Sequence, residues 1–119
     1  MQKRNLADVL DRVDELWAPK KVAYLNDYEV KVVKVLGEFV WHRHDETDEF
    51  FYVLSGEVTI QLRDRDVALT TGDVFVVPRG VEHCPKAAIE ARLMLIEPRG
   101  VVNTGDAGGD LTHAMEDLT

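Results

Sequence analysis

One cysteine, Cys84, occurs among 119 residues, so no disulfide can form within the chain. That usage fits a reducing compartment such as the cytoplasm. Cationic side chains are also scarce: 14 Lys and Arg stand against 22 Asp and Glu, a net charge of −8. Nucleic acids and anionic membrane surfaces want a basic patch, so neither is expected as a partner. No apolar run approaches the ~20 residues that span a bilayer. Met1-Gln-Lys-Arg-Asn5 runs into an acidic amphipathic pattern rather than an apolar stretch, which argues against a signal peptide. There is no internal repeat and no linker, and the length suits one domain.

What is present begins with a helical period. Asn5 is a fair N-cap, and Leu6, Val9, Leu10, Val13 and Leu16 or Trp17 recur at three and four, with Asp8, Asp11, Asp14 and Glu15 between them. The pattern predicts a helix over 5–17 that Pro19 stops, packed on the outside of a sheet. From Lys20 the texture changes to short strands and turns. Strands are expected at Val22–Leu25, Tyr28–Leu36, Phe39–His44, Glu49–Ser55, Glu57–Arg63, Val67–Thr70, Val74–Pro78, His83–Lys86 and Ala91–Glu97. Many short strands at spacings near ten residues, with no alternating helices, mean an all-β sandwich or barrel. Past Pro98 the pattern fades into a polar, glycine-interrupted tail. It reads as loosely held, with a last strand at Gly100–Asn103. The expected division is therefore a helical segment over 1–19, a β-barrel over 20–98 and a tail over 99–119.

Three of the four histidines fall in two short segments. The first runs Gly37-Glu-Phe-Val-Trp-His42-Arg-His44, then Asp45-Glu-Thr-Asp-Glu49 and on to Gly56. The second runs Gly72-Asp-Val-Phe-Val-Val-Pro78-Arg-Gly80-Val-Glu-His83. His42 and His44, two apart in an extended segment, share a face, and a four-residue turn returns an acidic residue beside them. Two imidazoles, a carboxylate and a third imidazole at His83 suit a divalent transition metal. Alternation alone does not choose between Asp48 and Glu49, since each shares its face with apolar residues.

These segments resemble the two motifs of the cupin superfamily. The flanking text, including Trp17-x-Pro19, Lys31-Val-Val-Lys34, Leu95-Ile-Glu97-Pro98 and Asn103-Thr-Gly-Asp106, is similar to small single-domain cupins of the mannose-6-phosphate-isomerase-like type. The resemblance implies a jelly-roll β-barrel with one divalent metal per chain (Fe, Mn, Ni, Cu or Zn) inside its mouth. It also implies that His42, His44, Glu49 and His83 are the ligands, with Asp48 left as a turn residue or a support for an imidazole. The chain departs from the family pattern in having four residues between Gly37 and His42, and Ala87 where Asn is often found.

Other residues follow from this frame. Cys84 should face away from His83 as a small buried hydrophobe, and His113 should be solvated. Phe51 and Val53 are expected to line the pocket, with Arg79 at its rim to take a carboxylate or phosphate. Phe39 and Trp41 should point away from the metal and need cover, which suggests a homodimer. The expected activity is that of a metal-dependent enzyme of oxygenase type on a small polar molecule. The alternatives are a sugar-type isomerase and a small-ligand-binding module without turnover.

Overall fold

The computed structural model describes residues 2–119. Helix α1 spans Leu6–Asp11, with the Asn5 side chain capping it by accepting from Asp8 N at 3.0 Å. It is shorter than the periodicity predicts. Trp17 leaves the helical pattern at φ 60°, its backbone N donating to Lys34 O at 2.8 Å and its indole N to Leu36 O at 2.9 Å. The barrel takes the ring for its own core, and that overrides local helix propensity.

The strands are β1 (Lys20–Leu25), β2 (Tyr28–Glu38), β3 (Glu49–Ser55), β4 (Glu57–Leu62), β5 (Asp66–Thr70), β6 (Val74–Val77), β7 (His83–Pro98) and β8 (Glu116–Asp117). They form one folded sheet in the order β5-β4-β7-β2-β1-β8, with β3 pairing both β7 and β6. The all-β architecture expected from the sequence is therefore present.

Strand β7 is the hub. One edge pairs with β2 from Tyr28↔Pro98 to Glu38↔Lys86, while its other edge serves β4 at its start and β3 at its end. The two expected strands 83–86 and 91–97 are one strand interrupted by a bulge. Gly37 faces Ala87 and Val35 faces Ala91, so Leu36 opposes three residues and Ile89 is pushed into solvent.

Side-chain alternation sets the core. Glu49, Phe51 and Val53 of β3, Ala91, Leu93, Leu95 and Glu97 of β7, and Lys31, Val33 and Val35 of β2 all point inward. A second apolar cluster, Leu10, Val22 and Val32, seats α1 on the outside of the sheet.

Three expectations are corrected here. Residues 39–44 are not a strand; their one ladder contact is the bridge His42↔His83. No strand forms at 100–103, and the segment after Pro98 is anchored rather than loose. Asn103 Nδ2 donates to Trp17 O (3.2 Å) and Leu111 O (2.8 Å), and its Oδ1 accepts from His113 N (3.1 Å). Thr104 is fully buried, and β8 then pairs in parallel with Lys20–Lys21. Such long-range side-chain anchors leave no local periodicity to read.

Candidate metal centre

The short arm His42-Arg43-His44 crosses the mouth of the barrel. His42 N donates to His83 O at 3.0 Å and His83 N donates back to His42 O at 2.9 Å, which fixes the two imidazoles side by side. Gly80 N donates to His44 O at 2.9 Å, so the turn before β7 holds the far end of the arm. Glu49 enters as the first residue of β3, opposite Val77. The ligand atoms of His42, His44, Glu49 and His83 lie within 4.8 Å of one another, and all four residues are buried.

The choice between adjacent carboxylates is resolved by their surroundings. Glu49 points inward, 5% exposed, whereas Asp48 turns out and accepts from Arg79 N at 2.9 Å.

The donor set fits a divalent metal. His42 Nδ1 lies 2.8 Å from Val40 O, and His83 Nδ1 lies 2.9 Å from Val81 O. Each ring therefore gives its Nδ1 proton to a backbone carbonyl, which leaves Nε2 as the atom turned toward the cluster. His44 Nε2 is buried without a hydrogen bond, 3.4 Å from Glu49 Oε2, the one buried ring nitrogen left without a partner among the described residues. An orphaned nitrogen aimed at a carboxylate and two other imidazoles is what a metal site requires and what a purely structural core avoids.

Electrostatics agree with that reading. Burial, reinforced by neighbouring His83, holds His42 down at about 4, so it is neutral at physiological pH. Burial also opposes charge on His83, but its 2.9 Å contact with Glu49 Oε1 outweighs this and raises it. Burial would lift Glu49, yet the Glu97 carboxyl and the His44 and His83 imidazoles gathered around it take it well below the usual carboxylate range.

Behind the cluster lies a cavity of about 40 Å³, lined by Trp17, Val33, Phe39, Phe51, Leu93 and Leu95 together with Lys31, His42, Glu49 and Glu97. It has room for roughly two or three water-sized molecules. Sequence reasoning missed the buried pair at its base. Lys31 Nζ lies 3.4 Å from Glu97 Oε2, with side-chain exposures of 0% and 3%. Burial and the adjacent Glu49 carboxylate raise Glu97 well above its ordinary value. The signal was available: Lys31 is in phase with Val33 and Val35, and Glu97 with Leu93 and Leu95.

Other expected site residues fall elsewhere. Phe51 does line the cavity, but Val53 is buried in the core beyond it. Arg79 is not at the cavity; it pairs with Asp48 beside Tyr28, Phe50, Val76 and Ile96 on the outer surface. Phe39 turns inward rather than out, stacked on Trp17 with centroids 4.6 Å apart and edge-on to His42 at 5.4 Å. Strand alternation misplaces it because its segment is not a strand. Trp41 is half-buried and covered by the Arg63 guanidinium, 3.8 Å from its ring. Cys84 is fully buried outside the cluster, its thiol pushed up to about 11 by burial. His113 is half-buried and is not among the clustered residues.

With this geometry in hand, comparison with known proteins identifies the class. Residues 30–99 match the family described as Cupin domain, and the chain belongs to it. It is similar to the crystal structure of a cupin-2 domain containing protein from Shewanella frigidimarina. The two share 46% identity at a TM-score of 0.79, over 81% of this chain and 94% of that one. It is 30% identical to "Uncharacterized protein YdbB" of Bacillus subtilis over 95 residues, 79% of this chain and 84% of that protein. It is also 32% identical to a 3-hydroxyanthranilate 3,4-dioxygenase of Xanthomonas euvesicatoria over 69 residues, 55% of this chain but 39% of that enzyme. No helix among the described residues is long and apolar enough to cross a membrane.

Proposed function

We propose that this cupin is a metal-dependent enzyme of oxygenase type acting on a small polar molecule. Its divalent transition metal would be held by His42, His44, Glu49 and His83. The observation that carries the reading is the orphaned His44 Nε2, buried within reach of three other donors, two of which, His42 and Glu49, line the cavity. Similarity to a dioxygenase supports the oxygenase class over a sugar isomerase, although the shared region spans less than half of that enzyme. A metal bound there supplies Lewis acidity toward a chelating substrate and, if redox-active, electron exchange with dioxygen.

The chain's own residues supply the rest. Val40 O and Val81 O fix the tautomers of His42 and His83. Phe39, Phe51, Leu93 and Leu95 keep bulk water from the cluster, which strengthens every charge interaction inside. Lys31 and Glu97 place the buried charge at the cavity base.

The proposal includes a homodimer, through a different surface from Trp41. Val74 and Val76 of β6 are 56% and 46% exposed. Tyr52 and Phe50 stand beside them on β3, and Met94 and Ile96 follow on β7. These rows hold no charged side chain on a chain of net charge −8, and a second copy would cover them isologously.

Elemental analysis of untagged protein, paired with oxygen uptake after loading each metal in turn, tests the activity. About one redox-active metal per chain with substrate-dependent oxygen uptake is expected. Full zinc or nickel occupancy without uptake would favour an isomerase or a binding module instead. No uptake of any metal would refute the site. His83→Ala should abolish tight metal binding in a chain that still folds.

A further inference from the structure

The arm that carries His42 and His44 is held on two sides, and its second side belongs to the far end of the chain. Residue 42 exchanges both backbone hydrogen bonds with His83 of β7. Residue 43 turns its backbone the opposite way, as alternate residues of an extended segment must. There Arg43 N donates to Asp106 Oδ1 at 2.8 Å, and Asp106 N donates to Arg43 O at 3.2 Å. The Arg43 guanidinium adds an ion pair to Asp106 Oδ2 at 3.3 Å.

Between these bonds Gly105 lies flat against the arm. At φ +53°, a Cβ built on it would meet Arg43 O at 2.3 Å and His42 Cδ2 at 3.0 Å. No side chain fits without moving the His42 ring or the peptide between the two histidines. The turn is itself anchored: Gly105 N donates to Val102 O at 3.0 Å, Ala107 N donates to Thr104 O at 3.0 Å, and buried Thr104 bonds Thr112 through their hydroxyls at 2.6 Å.

We infer that the Thr104–Asp106 turn is a positioning element for the metal centre. It clamps the His42–His44 arm against β7, so metal affinity is set partly by residues that touch no ligand atom. Gly105 fixes how near the tail can lie to His42, and Asp106 fixes the height of the arm through Arg43 N. This rests on the metal reading above and extends it to the tail.

The test is cobalt(II) titration of the full chain, read by competition with a chromophoric chelator and by the visible absorption bands of the bound ion. The unfolding midpoint of the chelator-treated protein is followed alongside. Gly105→Ala and Asp106→Ala should each weaken cobalt binding about ten-fold or more, in the range typical of lost support around a ligand, and shift the bands. Asp106→Asn keeps an oxygen that accepts from Arg43 N, and should retain wild-type affinity within about three-fold by the same reasoning. Asp106→Ala is the milder change and remains informative if Gly105→Ala does not fold. Wild-type affinity and bands in both alanine variants would overturn the clamp while leaving the metal site standing. Equal losses in Asp106→Asn and Asp106→Ala would overturn it too, since charge and not position would then matter. A wild-type chain that takes up no cobalt would overturn the metal reading and the clamp together.

Discussion

Lys31 and Glu97 sit in a part of the barrel that valine and leucine could fill, and their removal has a calculable signature. Both side chains are at most 3% exposed, and Glu97 is the ammonium's hydrogen-bond partner at 3.4 Å. Breaking a buried pair by deleting one partner typically costs about 3–5 kcal/mol, because the remaining charge is stranded. Lys31→Met leaves the single buried negative charge of the Glu49–Glu97 pair with no cation to offset it, and Glu97→Leu takes the ammonium's partner away among Val33, Val35, Leu93 and Leu95. For a chain of this size each kcal/mol moves the midpoint by about 4 °C, so either variant should melt roughly 12–20 °C lower. The double variant replaces the pair with apolar volume, and should fall within about 1 kcal/mol of wild type or exceed it. Urea unfolding in chelator, with equal m-values across the four proteins, measures the cycle. A double variant as unstable as the sum of the two singles would refute the claim that the cost lies in stranded charge.

Three further outcomes are expected. His42 is held at about 4 against an ordinary 6.5, so the unfolded chain binds a proton that the folded chain refuses. The His42 contribution to metal-free stability should therefore fall as pH drops from 6.5 toward 4, by about 3 kcal/mol at the limit. His42→Phe removes that contribution, and parallel pH profiles for the two proteins would contradict it. Val76→Asp should shift the particle toward monomer in sedimentation velocity, and an unchanged dimer would place the interface elsewhere. Cys84→Ala should leave cobalt affinity unchanged, because the thiol lies outside the cluster; a large loss would bring Cys84 into the centre.

Local pattern puts His42 and His44 on one face of an extended segment and His83 at the start of a strand, but it leaves Asp48 and Glu49 undivided. The full set of four follows from the resemblance to the cupin motifs, and the fold is what turns Glu49 inward and Asp48 out. Phe39 was misplaced because alternation was applied to residues 39–41, whose path is set by the His83 bridge and by stacking on Trp17. Trp17 misled in the same way, since a helical period ran through a residue the barrel core takes for itself. Lys31 and Glu97 were on the correct face all along, but a charged residue in phase with valines reads as an exception until its partner strand is known. Their partnership joins β2 to β7 across 66 positions. The tail was illegible for the same reason: its anchors are single side chains bonded to residues far away in sequence.

The central place of β7 also bears on how the chain comes to fold. Strand β2 pairs Tyr28 with Pro98, and β4 and β3 meet the same strand on its other edge. Three of the longer strands therefore wait for a partner that is synthesised after all of them. Closing such loops costs entropy before any contact rewards it, which places folding on the slow, millisecond-to-second side for small domains. During that interval Val30, Val32, Val33 and Val35 of β2 present an unpaired edge and two apolar faces. A nascent chain of this protein is consequently most prone to aggregation just before β7 leaves the ribosome, and the burden on chaperones ends when that one strand docks.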